Sequence, residues 1–546
     1  MRGAKSAKWV AAAIVVATAA TACGSSDDSS GSGGGGGGNV VRASWADPQN
    51  PLEPANTNEV QGGKVLDMIF EGLKVYNPKT GAAEDAMAES IDSKDQQNFT
   101  IKVKDGYKFS DGTAVTAKSY VDAWNYGALV TNKQNSSYFF SDIKGYDEVH
   151  PADETSKPSA KTMSGLKLVD DSTFTVALKT KASTWPERLG YKAFAPLPEM
   201  FFTDHAAYLA KPVGNGPYKV DSYTKGTGLK LSVNENYGGE SKPANDGVEL
   251  KVYTDNNTAY NDLQAGNIDL VDDIPAAQLG NAESDLQGRF INQPAGIIQT
   301  VSFPLYKGEW NKPGMEKVRQ GLSMAIDREA ITKQIFQGSR TPASDLTSPA
   351  IGVDGGFKEG LAGDTVKYDP AKAKALITEG GGIPGGKFTI SSNADTGSHK
   401  DWIDAVCNSI NKTMGDNVCT ANMVGTFGDF RNQVVNEKID GLFRTGWQMD
   451  YPLIENFITP LYTTNGSSND AKYSNPKVDQ LVAQANAEPD TKKAISLFQD
   501  AERQVIADMP IIPLWYQNGT AGYSDRVENV QLNPFSVPVF TDITVK

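Results

Sequence analysis

Residues 98–117 read NFTIKVKDGYKFSDGTAVTA. The stretch opens with Phe99, Ile101 and Val103 interleaved with Thr100 and Lys102. That period of two turns one apolar face to a core and one polar face to water, the pattern of a half-buried strand. It returns at Phe174, Val176 and Leu178, at Leu229, Leu231 and Val233, and at Val248, Leu250 and Val252. Elsewhere the grammar is helical. Asp369 is placed to cap a helix with Pro370 at its first position, Ala371 to Ile377 as its body and Gly380 at its end. Asn475 and Pro476 repeat that arrangement, and Val318, Leu322, Ala325 and Ile326 share one helical face. Asp327 is set to cap a further helix carrying Ile331 and Ile335. Strands and helices mixed along the whole chain predict an α/β protein.

The N-terminus carries a different signal. Arg2, Lys5 and Lys8 precede an apolar run from Trp9 to Ala20, which predicts an export signal peptide over residues 1–22. The run is short for a membrane span, and no other stretch of about 18 apolar residues follows. Ala20-Thr21-Ala22-Cys23 resembles a lipobox, with Ala20 where leucine is usual. That resemblance implies a lipidated Cys23 as the mature N-terminus, anchored to the outer face of a bacterial cell membrane. Residues 24–38, GSSDDSSGSGGGGGG, have no apolar side chain to bury and read as a flexible tether, giving a lipidated leash over 23–39.

The remaining chain, roughly 500 residues, exceeds what one hydrophobic core organises, so two or three domains are expected. A formal net charge of -14 argues against nucleic acid as a partner. Besides Cys23 there are only Cys407 and Cys419. In an exported chain their spacing reads most simply as one disulfide closing a short loop, with two free thiols as the alternative. The three histidines, His150, His205 and His399, stand apart and fit no zinc spacing, so no metal and no cofactor is expected. There is no GxSxG, no HExxH and no phosphate-binding glycine loop, and Gly214-Asn215-Gly216 precedes Pro217 and reads as a turn. Nothing in the chain points to an enzyme.

From about residue 40 onward the chain resembles the peptide/nickel family (family 5) of ABC-importer solute-binding proteins, most closely its oligopeptide-binding lipoproteins. The resemblance rests on segments in the family's order: VKDGYKFSDGTAVTA from Val103 to Ala117, PVGNGPYK from Pro212, LQAGNID from Leu263 and VRQGLSMAIDR from Val318. YDPAKAKALITEG from Tyr368, YSNPKVD from Tyr473 and PIIPLWY from Pro510 complete it. In the first segment the resemblance puts Gly106 and Gly112 at turns and Thr116 at the cap of the next helix. It implies a two-lobed periplasmic-binding-protein clamshell (type II, large peptide-binding class) with an additional domain on lobe one. Lobe one would comprise 40–72, 214–300 and 517–546, the additional domain 73–213, and lobe two 301–516.

The resemblance also implies a ligand. In the oligopeptide-binding branch, a strand similar to Phe443–Pro452, FRTGWQMDYP, lines the cleft and pairs with an extended peptide. Asp450, three residues after Trp447, would accept the peptide's α-ammonium; Arg444 would meet its carboxylate; Gly446 lies between them on the strand. On the facing lobe Glu59 and Val60, within NEVQ, fall where the family offers backbone bonds. Trp402 is expected to pack in a core. The implied partners are a short peptide, an ABC permease and through it ATPase subunits, with the protein acting as a monomer. An oligosaccharide, opine, haem or nickel chelate bound by the same fold is the alternative, since fold does not fix ligand.

Overall fold

Two long antiparallel strands, Phe290–Ser302 and Ile511–Tyr523, run through the centre of the molecule. The computed structural model describes residues 38–57, 59–394, 399–464 and 466–546. The expected signal peptide, Cys23 and all but the last residues of the tether lie outside them. Around the two strands is an 11-stranded sheet. On one side follow Leu442–Gln448, Phe388–Asn393 and Cys419–Val424; on the other Leu270–Val271, Val40–Trp45, Gly247–Val252, Gly228–Val233 and Tyr218–Thr224. Arg340–Pro342 pairs beside Ile511–Tyr523.

Among the described residues the sheet serves two large cores, with two smaller apolar clusters beside them, and the large pair makes the α/β fold two-lobed. One core gathers Val41, Leu66, Trp124, Phe174, Leu250 and Phe540. The other gathers Val318, Leu322, Ile390, Phe457, Phe498 and Trp515. Each long strand feeds both: Ala521 belongs to the first and Ile512 to the second, while Ile291 packs on the first and Ile298 lies in the second. Between Pro294 and Ile298 the pairing of the two strands shifts register.

The opening stretch behaves as its pattern predicts. Asn98–Val103 sits in an antiparallel four-stranded sheet between Ala88–Ser93 and Thr173–Ala177, with Leu166–Leu168 at the edge. Phe99, Ile101 and Val103 are buried while Thr100 is exposed. Gly106 and Gly112 take φ of +85° and +88°, where a side chain would be strained. Thr116 caps the helix Ala117–Ala128. That helix presents Trp124 to Phe140, Phe174, Trp185 and Phe194, with ring centroids 5.1 to 6.3 Å apart.

Asp369 accepts from Lys372 N at 2.9 Å to cap Pro370–Glu379, and Asp327 accepts from Ala330 N at 3.0 Å to cap Arg328–Gln334. The latter helix is shorter than the apolar pattern suggests: Ile331 is buried, but Ile335 forms its C-cap and stays exposed. Gly214-Asn215-Gly216 is a bend pressed against another backbone. A Cβ on Gly214 would lie 1.9 Å from the Ile69 carbonyl, and the Asn215 amide bonds both N–H and C=O of Glu71. Cys407, on the helix His399–Met414, is joined by a disulfide to Cys419 at the start of Cys419–Val424. Trp402 of the same helix is 2% exposed and packs edge-on against Trp515.

Candidate functional site

Leu442–Gln448 has one satisfied edge and one open one. Along Phe290–Ser302 it is paired from Phe443 opposite Ser302 to Gln448 opposite Ile297. Along Phe388–Asn393 the pairing covers only Leu442 and Phe443. Among the described residues no strand pairs with Arg444–Gln448 on that side. An unpaired row of N–H and C=O groups is a template for another extended chain. From the paired strand, the Gln299 side-chain amide donates to the Thr445 carbonyl.

Beside this edge lies a cavity of about 260 Å³. Thr300, Ser302 and Thr445 supply hydroxyls, with Thr445 Oγ1 2.8 Å from Thr300 Oγ1 and 2.7 Å from Ser302 Oγ. Phe427, Phe430 and Tyr462 supply apolar surface. Two arginines line it. Arg431 is held by both oxygens of Asp470 at 2.6 and 3.2 Å. Arg444 has a buried Nε without a hydrogen-bond partner, and burial together with Arg431 pushes its pKa down. The cavity therefore holds one cation in excess of its anions, which suits a carboxylate.

At the other end of the strand, Asp450 is positioned by a residue that the sequence reading did not single out. Asn456, buried on the helix Ile454–Tyr462, accepts from Trp447 Nε1 at 3.0 Å and from Asp450 N at 2.9 Å, and donates to Asp450 Oδ2 at 3.1 Å. The second carboxylate oxygen accepts from the Tyr138 hydroxyl at 3.1 Å. Burial raises the Asp450 pKa, while Asn456, Tyr138 and Arg188 act against it. Among the described residues no cation is in direct contact with this half-buried carboxylate held by neutral donors, and an arriving ammonium would supply one. Tyr138 is 49% exposed and sits 312 positions away in sequence, so no local signal could have found it.

The residues after Asp450 grip the segment that carries Tyr138. Arg188 pairs with Asp142 and, at 3.4 Å, with Glu455, and its guanidinium lies 5.3 Å from the centroid of the Tyr451 ring. Arg444, Gly446, Trp447 and Asp450 are thus gathered along one strand and its exit.

Glu59 and Val60 stand elsewhere, at the N-terminus of the helix Val60–Ile69. The Glu59 carboxylate accepts from Gly62 N at 2.8 Å and its carbonyl from Gly63 N at 2.9 Å, so both serve the helix; Val60 is exposed. Among the described residues no hydrogen bond or ion pair links them to 444–450. Their location is nevertheless suited to a ligand. Val40–Trp45 runs parallel to Gly247–Val252 and Leu270–Val271, and Trp45, at its carboxyl end, donates through Nε1 to Gln61 O at 2.9 Å. The carboxyl ends of parallel strands are where open α/β sheets receive ligands.

This fold, two lobes joined by paired strands with an open strand edge between a carboxylate and an arginine-lined cavity, is that of a solute-binding protein. The chain belongs to the bacterial extracellular solute-binding proteins, family 5, whose description matches residues 82–469. It is 26% identical over 504 residues to the oligopeptide-binding protein OppA of Bacillus subtilis, covering 88% of each chain. It is 26% identical over 489 residues to the dipeptide-binding protein DppE of the same organism, covering 86% of this chain and 85% of that one. The unliganded open form of the periplasmic murein tripeptide binding protein MppA superposes with a TM-score of 0.79 at 22% identity, covering 93% of this chain and 97% of the other.

Proposed function

We propose that the protein captures short peptides between its lobes and delivers them to an ABC permease, without chemical turnover. The observation that carries this reading is the open edge at Arg444–Gln448, with Asp450 at one end and Arg444 at the other. A peptide main chain completes the sheet there irrespective of its side chains. Its α-ammonium takes Asp450, displacing the Tyr138 hydroxyl, and its carboxylate takes Arg444 in the cavity. From Arg444 to Asp450, six residue steps at about 3.3 Å each span roughly 20 Å, the length of an extended peptide of about five to six residues. Glu59 and Val60 face the ligand from lobe one. The lobes, in this reading, are 40–72 with 214–300 and 517–546, and 301–516, with 73–213 as the additional domain. OppA, DppE and MppA are named for peptide ligands, which supports the same class here.

Titration calorimetry with a pentapeptide, its N-acetylated form and its C-terminal amide tests this. Both modifications should weaken binding tenfold or more; equal affinity for all three would refute the anchoring scheme. The export signal and lipobox-like Ala20–Cys23 support attachment to the outer face of the cell membrane through Cys23. C23A should then abolish incorporation of labelled fatty acid and release the protein into the medium; unchanged labelling would refute it.

A further inference from the structure

Asp345 and Glu502, both in the second lobe, are completely removed from solvent, each at 0% exposure. Asp345 lies in the loop between the strand Arg340–Pro342 and the turn Pro349–Ile351, and Glu502 lies on the helix Thr491–Asp508. One oxygen of each is satisfied. Asp345 Oδ1 accepts from Thr347 N and Oγ1, both at 3.0 Å, with the Tyr516 hydroxyl at 3.3 Å; Glu502 Oε1 accepts from Leu346 N at 3.1 Å. Asp345 Oδ2 and Glu502 Oε2 are buried with no hydrogen-bond partner. A bare carboxylate oxygen in a dry site is costly, and two neighbouring ones cannot both stay charged; a proton relieves this.

The surrounding groups do not supply a counter-charge. Burial raises the pKa of both, Asp345 to about 7 and Glu502 well above its ordinary value, the latter also because Asp345 is its neighbour. Glu359 pushes Asp345 further up, and Arg503, which acts against the shift of Glu502, is itself paired with Asp500. Burial also pushes Tyr516 and Tyr462 up, so both face the pair as neutral phenols.

The loop holding Asp345 touches both strands that pass between the lobes. The Tyr516 hydroxyl accepts from Ser344 N and Asp345 N, each at 3.1 Å, and Ser348 Oγ donates to the Ala295 carbonyl at 2.6 Å. Ala295 lies inside the register shift between Pro294 and Ile298. At its far end the loop leads to Gly352, packed so closely on Thr80 that a Cβ would lie 2.0 Å from the Thr80 carbonyl.

We propose that Asp345 and Glu502 hold one proton between them, and that this proton fastens the 344–348 loop across both interlobe strands, making the hinge responsive to external pH. With the proton gone, two like charges share a dry site and the loop loosens, releasing the bulged stretch at Ala295. The folded protein then holds at least one more proton than the unfolded chain between about pH 4 and pH 7, so the pair's contribution is full on the acid side and fades as pH rises through about 7.

Thermal unfolding of the wild type, E502Q and D345N across that range tests the proposal, alongside the infrared carboxylic-acid band and hydrogen exchange of 344–348. The wild-type midpoint should fall relative to E502Q as pH rises from about 5 to about 8. The wild type at pH 6 should carry a carboxylic-acid component that the double variant D345N/E502Q lacks, and its 344–348 amides should exchange faster above neutrality than intrinsic rates account for. Should E502Q fail to fold, D345N carries the same comparison. Parallel curves with no difference in the band would overturn the proposal. So would wild-type stability that follows added Na⁺ or Ca²⁺ at fixed pH, because a bound cation would then occupy the site.

Discussion

Asp450 combines burial, neutral donors and a position at the end of an open strand. D450A should weaken binding of a free-amine peptide tenfold or more, about 1.4 kcal/mol, while leaving affinity for the N-acetylated peptide unchanged. Calorimetry on the pair reads this directly. Because the Asp450 pKa is raised in the empty protein and an ammonium favours the charged form, peptide affinity should fall with acidification through that raised value. D450A should lose this pH dependence. Asn456 makes a further test: N456L should also weaken binding, through a displaced Asp450 and Trp447 rather than a lost charge. Trp447 and Asp450 could be named from sequence because they share a short segment with a recognisable pattern. Asn456 could not, since nothing in the surrounding PLIENF distinguishes an asparagine that organises a site from one that caps a turn, and Tyr138 reaches Asp450 only through the tertiary fold.

At the level of elements, the proposed pairing of a peptide with the open edge at Arg444–Gln448 requires that ligand main-chain N–H groups are read. N-methylation of a single central peptide amide should therefore cost tenfold or more in affinity, whereas changing the side chain at that position should cost less. Equal effects would place recognition in side chains. Regular elements were the most legible part of the chain. Alternation located Asn98–Val103, and side-chain caps located Pro370–Glu379 and Pro476–Ala487, because these signals are local. What lacks a local signal stayed hidden: the early end of Arg328–Gln334, the backbone contact at Gly214, and the strand edge left open where pairing stops at Phe443.

For the molecule as a whole, distant parts of the chain are fastened by a few buried contacts. Asp269, with no side-chain exposure, is clasped by Arg42 at 2.9 Å and Arg526 at 3.0 Å, joining residues near both ends of the chain. Burial alone would raise its pKa, but hydrogen bonds from the two arginines outweigh it and hold the carboxyl at about 2. Its stabilisation is therefore complete above the ordinary carboxylate range and is lost as pH falls from about 4 towards 2. D269A should cost about 1 to 3 kcal/mol in denaturant unfolding, since it removes a buried hydrogen-bond acceptor while the two arginines, 34% and 27% exposed, are partly resolvated. Removing the Cys407–Cys419 link with C407S and C419S together should cost about 3 kcal/mol by loop entropy. The two-lobed class was legible from the ordered segments, whereas the pairing of chain ends through Asp269 was not, because ion-pair partners carry no sequence mark.

Native mass spectrometry of residues 39–546, purified without denaturation, tests peptide capture most directly. Retained masses should resolve into peptides of a few residues and be lost on D450A substitution. A single sugar, metal chelate or porphyrin mass, retained equally by D450A, would contradict it.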